Sequence, residues 1–231
     1  MIPEITYKLS FEEGLVSRFL TLSIWEYDSS ISELDNLLSD EEKIIYKELK
    51  VKSRRNEFVA GRVLAKRTVE SSLNLESHIN LSITNGVWGF PVINTKEYSD
   101  MWISIAHTKK HAAVLLSLLK THPVGVDIEE ILEINEESLT KYLSKYGLNN
   151  SLEMMHVIWV AKEAVSKTIL TGFTIADELF EIEQIITKNE RYTILFKHFP
   201  QIKVTSFVED DLAIGVAYPE IWKNPLIKKI K

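Results

Sequence analysis

The chain has 231 residues, enough for one large domain or two small ones, and its 45% hydrophobic and 26% charged residues are the balance of a soluble globular protein. It contains no cysteine, which excludes disulfides, a thiol nucleophile and thiolate zinc sites and fits a reducing cytoplasm. The net charge of −6 argues against a general nucleic-acid binder; no apolar run reaches the ~18 residues that span a bilayer, and residues 1–20, with Glu4, Glu12 and Glu13, do not read as a secretory leader.

An edge strand is expected around residues 20–27. Ser39-Asp40-Glu41-Glu42 carries the S-x-x-E signature of a helix start, with a carboxylate placed to reach back to the cap, and a helix is expected to about residue 50. A second helix is predicted from about 53 to 72, where Phe58, Val59, Val63, Leu64 and Val69 recur at roughly helical spacing. Gly61 inside it costs about 1 kcal/mol relative to alanine, so it marks either a close approach or a tolerated glycine. From Met101 the texture turns to β: residues 101–106, 111–119 and 124–129 predict a three-stranded antiparallel meander ending on Asp127-Ile128-Glu129. Ser151 then caps a helix predicted over 151–170, apolar nearly all round and so buried. Strands at 191–199, 201–208 and 212–218 complete the chain. This order predicts an α+β fold in two halves, 1–120 and 121–231, with a ligand site at their shared interface.

Charge is unevenly spread. Lys43, Lys47, Lys50, Lys52, Arg54, Arg55, Arg62, Lys66 and Arg67 face only Glu48 and Glu57 in one stretch, whereas Asp127, Glu129, Glu130, Glu133, Glu136 and Glu137 form an acidic run. Most of these read as solvated faces. Two polar islands do not. On a strand Asp127 and Glu129 share one face while Val126 and Ile128 take the other. On the buried helix, in Trp159-Val160-Ala161-Lys162-Glu163-Ala164-Val165-Ser166-Lys167, Glu163 and Lys167 lie four apart on one face. Three carboxylates beside lysines are costly unless a divalent cation and an anionic ligand complete the set, so a metal and phosphate site is expected.

These islands, together with Phe58-Val59-Ala60-Gly61-Arg62, Gly89-Phe90-Pro91, Ile103-Ser104-Ile105-Ala106-His107-Thr108 and Gly172, make a chain that resembles the 4′-phosphopantetheinyl transferases of the Sfp type. The resemblance implies two similar α/β halves in pseudo-twofold arrangement. It implies a cytoplasmic, monomeric enzyme that uses Mg²⁺ to transfer the phosphopantetheine arm of coenzyme A to a serine of an apo carrier protein, leaving 3′,5′-ADP, with no nucleic-acid or membrane partner. It makes Asp127, Glu129 and Glu163 the metal ligands, Glu129, Glu163 and Lys167 the catalytic groups, and Arg54, Arg55, Ala106, His107, Thr108, Asp127, Lys162 and Lys167 the coenzyme A contacts. Lys167 would lie on the pyrophosphate, and His107 with Arg54 or Arg55 on the 3′-phosphate. The base that takes the serine proton is Glu129, Glu163 or a metal-bound water. Three positions depart from the pattern: Glu57 where an arginine is often found, Phe90 in place of a basic residue, and Ala106 in place of a serine. Competing readings are another Mg²⁺-dependent phosphoryl or nucleotidyl enzyme, disfavoured by the lack of a P-loop, and a catalytically silent coenzyme A or carrier-protein binding module of the same fold.

Overall fold

A computed structural model of the chain describes residues 4–75, 81–132, 143–144, 146 and 151–230. The acidic positions Glu133, Glu136 and Glu137 lie outside the described residues. By their internal contacts the residues form two compact units, Met1–Val124 with Ile221–Lys231, and Gly125–Glu220.

The first unit begins with β1 (Glu4–Glu13) and β2 (Val16–Glu26), joined by a turn in which Gly14 takes a φ of +59°. Its sheet is antiparallel and five-stranded, with β5 (Trp102–His107), β6 (His111–Ser117) and β12 (Lys223–Lys229) in the order β12-β1-β2-β6-β5. The stretch expected as an edge strand is therefore the central one, β2, held by β1 on one side and β6 on the other. Its apolar side chains announce a strand, but the number of its neighbours depends on partners distant in sequence. Helix α1 (Asp40–Glu48) starts as expected, with the Ser39 hydroxyl accepting from Glu42 N–H and Glu42 returning the bond to Ser39 N–H. Glu42 is fully buried because its carboxylate also accepts from Lys66 Nζ at 2.6 Å and from the Ile83 N–H at 2.9 Å. A capping residue thus ties α1 to α2 (Lys52–Leu73) and to β3 (Ile83–Asn85), which pairs with β4 (Pro91–Ile93) in a short hairpin. Helix α2 buries Val59, Ala60, Val63, Leu64 and Val69 against a core that includes Trp25, Ile83 and Val114. The last strand, β12, comes from beyond residue 120 and seats Trp222 beside Phe11, ring centres 5.3 Å apart.

The second unit is again a five-stranded antiparallel sheet, β7-β11-β10-β9-β8, under one long helix. Its strands are β7 (Gly125–Glu130), β8 (Ile182–Lys188), β9 (Arg191–Phe196), β10 (Ile202–Glu209) and β11 (Leu212–Pro219). The expected meander stops at two strands: β5 and β6 pair, but β7 pairs with β11, Asp127 opposite Gly215. Alternation identifies a strand without naming its partner, and here the partner lies more than 80 residues further on. Helix α3 (Leu152–Thr168), capped by Ser151 accepting from the Met154 N–H, packs Val157, Ala161, Ala164 and Val165 onto Phe180, Ile194, Phe196 and Val204. No described helix is long and apolar enough to cross a membrane.

Candidate active site

In the second unit two glycines decide how close α3 comes to its sheet. A Cβ on Gly125 would lie 2.2 Å from the Ala164 carbonyl oxygen, and one on Gly215 would lie 2.6 Å from that of Val160. Only hydrogen fits at either place. Because Gly125 faces α3, alternation turns Asp127 and Glu129 to the same face, while Val126 and Ile128 are buried on the other. Lys167, in the last turn of α3, places Nζ 2.7 Å from Asp127 Oδ1, with both side chains largely withdrawn from solvent. Its ion-pair partner is thus Asp127 on the strand.

Glu163, one turn earlier, is half-buried, and its carboxyl is pushed up to about 7 by burial first, then by the charges of Asp127 and Glu129, against the pull of Lys167. Glu129 is raised for the same kinds of reason, burial and then the charges of Asp127 and Glu130. Three carboxylates therefore feel one another, with Lys167 as the counter-charge of Asp127 and Glu163. Among the described residues no three acidic or histidine side chains are already closed into a coordination set. The chemistry of the donor set, three hard anionic oxygens around which one cationic group already sits, suits Mg²⁺. Lys162 goes elsewhere. It is buried, and its Nζ donates to Asp177 Oδ1 at 2.6 Å and lies 5.3 Å from the Tyr146 ring centre. Five residues from Lys167, it leaves the helix in a different direction. Asp177 was missed in the sequence, where nothing marks it as the partner of a lysine 15 positions earlier.

The first unit contains a cleft of about 240 Å³ between the N-terminal half of α2, the end of β5 and the β3–β4 hairpin. Arg54, Glu57, Gly61, Arg62, Asn85 and His107 are among its walls. Gly61 lets α2 approach β5, since a Cβ there would sit 3.0 Å from Ile105 Cγ2. Glu57 lies between the two expected cationic groups: Arg54 Nη1 is 2.8 Å and His107 Nδ1 3.6 Å from its Oε2. Arg62 donates to the Ile83 carbonyl and to Asn85 Oδ1, both at 2.8 Å, over the Phe58 ring. Burial draws its guanidinium down to about 10, with Glu42 opposing.

The remaining expected contacts are placed differently. Arg55 is not a wall of this cleft; it donates to the Leu49 carbonyl at 2.6 Å and lies over Tyr46. Ala106 is buried in β5, leaving only backbone to offer. Thr108 Oγ1 accepts from the Lys110 and His111 N–H groups of its own turn. Phe90 covers Gly86, where a Cβ would meet its ring at 2.7 Å.

Residues 123–217 match the profile of the 4′-phosphopantetheinyl transferase superfamily. The match covers less than half of the chain. The matched stretch holds all four groups of the carboxylate cluster, Asp127, Glu129, Glu163 and Lys167, whereas the Arg54–Glu57–His107 cleft precedes it. A curated relative, 4′-phosphopantetheinyl transferase gsp of Aneurinibacillus migulanus, is 25% identical over 155 residues, 64% of this chain. The chain spans 60% of that relative's length. A crystal structure of a holo-(acyl-carrier-protein) synthase from Bacillus anthracis str. Ames, in complex with CoA (3′,5′-ADP), is 22% identical and covers 48% of this chain and 95% of its own. Its TM-score of 0.35 is too low to assign a fold or a ligand. Inside the matched stretch, the carboxylates of β7 and α3 are the groups whose burial most needs a functional reason.

Proposed function

We propose that the chain transfers the 4′-phosphopantetheine arm of coenzyme A to a serine hydroxyl of an apo acyl, polyketide or peptidyl carrier protein, releasing 3′,5′-ADP. The observation that carries this is the ion pair of Lys167 with Asp127 and the coupling of Glu163 to Asp127, Lys167 and Glu129, all inside the matched stretch. In the reaction the serine oxygen forms a bond to the phosphorus bearing pantetheine, and the bond from that phosphorus to the bridging oxygen breaks. Asp127, Glu129 and Glu163 would hold Mg²⁺, which when bound neutralises pyrophosphate charge. Lys167 adds a positive charge where the phosphoryl oxygens gain negative charge, and Asp127 keeps its ammonium in place. The serine proton goes to Glu129, Glu163 or a metal-bound water.

In the first unit, the cleft walled by Arg54, Glu57 and His107 receives the nucleotide end of coenzyme A. Arg54 is the arginine assigned to it, and Arg55 the one that braces the start of α2. Lys162, paired with Asp177, is a further coenzyme A contact. The two units, each a five-stranded antiparallel sheet with one long helix, are read as two versions of one plan. The protein is assigned to the cytoplasm as a monomer.

The test is to incubate the protein with coenzyme A, Mg²⁺ and a panel of apo carriers and to weigh the carriers. Each substrate carrier should gain one phosphopantetheine, and Asp127→Asn or omission of Mg²⁺ should abolish the gain. Mg²⁺ should also raise the melting temperature of the wild type and not of Asp127→Asn, a readout independent of turnover. Binding of coenzyme A with no carrier modified would support the silent binding module instead.

A further inference from the structure

We propose that Glu57 sets which nucleotide the cleft of the first unit accepts, removing most of the advantage that a 3′-phosphate would have over a free 3′-hydroxyl. The proposal rests on the assignment of that cleft to the nucleotide end of coenzyme A, and it names the substrate class more narrowly. A phosphate monoester near neutral pH has almost two negative charges and little hydrogen to donate. It binds where guanidinium, imidazolium or N–H groups face open space. Here one oxygen, Glu57 Oε2, lies 2.8 Å from Arg54 Nη1 and 3.6 Å from His107 Nδ1, so a carboxylate already stands against both groups a phosphate would need. The side chain of Glu57 is only 12% exposed, which leaves little water to screen its charge from an incoming anion. The cleft's other guanidinium, Arg62, directs Nε and Nη2 to the Ile83 carbonyl and to Asn85. A ribose hydroxyl has the opposite chemistry. It donates, and an ionised carboxylate only accepts, so a 3′-hydroxyl can bond to Glu57 without displacing Arg54 or His107.

Calorimetric titration with coenzyme A and with dephospho-coenzyme A, on the wild type and on Glu57→Gln, tests this. The wild type should bind the two within about threefold of each other, and Glu57→Gln should favour coenzyme A by about tenfold or more, through a gain for coenzyme A alone. A wild type that already prefers coenzyme A tenfold, or a folded Glu57→Gln with an unchanged ratio, would overturn the proposal. Should Glu57→Gln fail to fold, the wild-type ratio decides by itself. The predicted ratios without transfer to any carrier would remove the transferase reading and leave this one standing. Failure of both nucleotides to bind would remove the assignment of the cleft and this proposal with it.

Discussion

Lys167 shows how a single side chain divides a structural from a chemical role. As an exposed i,i+4 partner it would contribute a few tenths of a kcal/mol; instead it neutralises a buried aspartate across the helix–strand contact. Lys167→Met keeps the stem and removes the charge. Under the proposed transfer it should lower kcat/KM by about a hundredfold or more in a protein that still melts cooperatively. A folded variant that loads an apo carrier at the parental rate would reduce Lys167 to support for Asp127. Glu163 makes a separate prediction without substrate. Its folded carboxyl titrates near 7, above the ordinary 4.5, so the folded state binds that proton more tightly than the unfolded chain. Its contribution to stability is therefore fully present below about pH 4.5 and is lost as pH rises through about 7. Urea denaturation in chelator across this window should show the advantage of wild type over Glu163→Gln shrinking with rising pH. A difference that stays constant would mean that Glu163 is not perturbed.

Among the elements, the contact of α3 with β7 and β11 positions the cluster, and it depends on absent side chains. Gly125→Ala directs a methyl at the Ala164 carbonyl, and backbone cannot turn aside as a side chain can, so α3 must shift. A loss of about 3 kcal/mol in denaturant unfolding is expected, with a fall in activity although every charged group remains. Gly61→Ala is the contrast. Its Cβ meets only the Cγ2 methyl of Ile105, at 3.0 Å, a side chain and not backbone, and alanine favours the helix, so the net loss should be smaller, about 1 kcal/mol. Equal effects at the two glycines would show that the approach of α3 to Gly125 carries no special cost. The close approach at Gly61 was one of two readings of the sequence. That at Gly125 had no local signal, because the carbonyl it accommodates belongs to a helix 39 residues on.

Across the whole chain, the last strand returns to the unit where the chain begins. β12 pairs with β1 from Tyr7 opposite Lys229 to Glu12 opposite Lys223, and Trp222 is buried beside Phe11 and His122. Truncation after Glu220 should leave β1 as an unpaired edge and remove an aromatic residue from its core. Hydrogen exchange should then show β1 amides losing protection, while β9, β10 and β11, whose partners all lie between 125 and 220, keep theirs. Undiminished protection in β1 would show that the returning strand is dispensable.

Local chemistry made much of this legible in the chain itself. Ser39 and Glu42 announce the start of α1 because a capping box is complete within four residues, and the periodicity of 58–69 announces α2 because a helix repeats its face every few positions. The four cluster residues stood out for a similar reason: charge in an apolar strand and an apolar helix is conspicuous without knowing the fold. Partnership was decided only by tertiary structure. Which strand flanks β7, that Lys167 finds Asp127 while Lys162 finds Asp177, that Glu57 stands between Arg54 and His107, and that residues 221–231 belong with the first unit are all contacts between distant positions. Helix and strand periods determine which way a side chain points, whereas the neighbour it meets depends on how the rest of the chain packs.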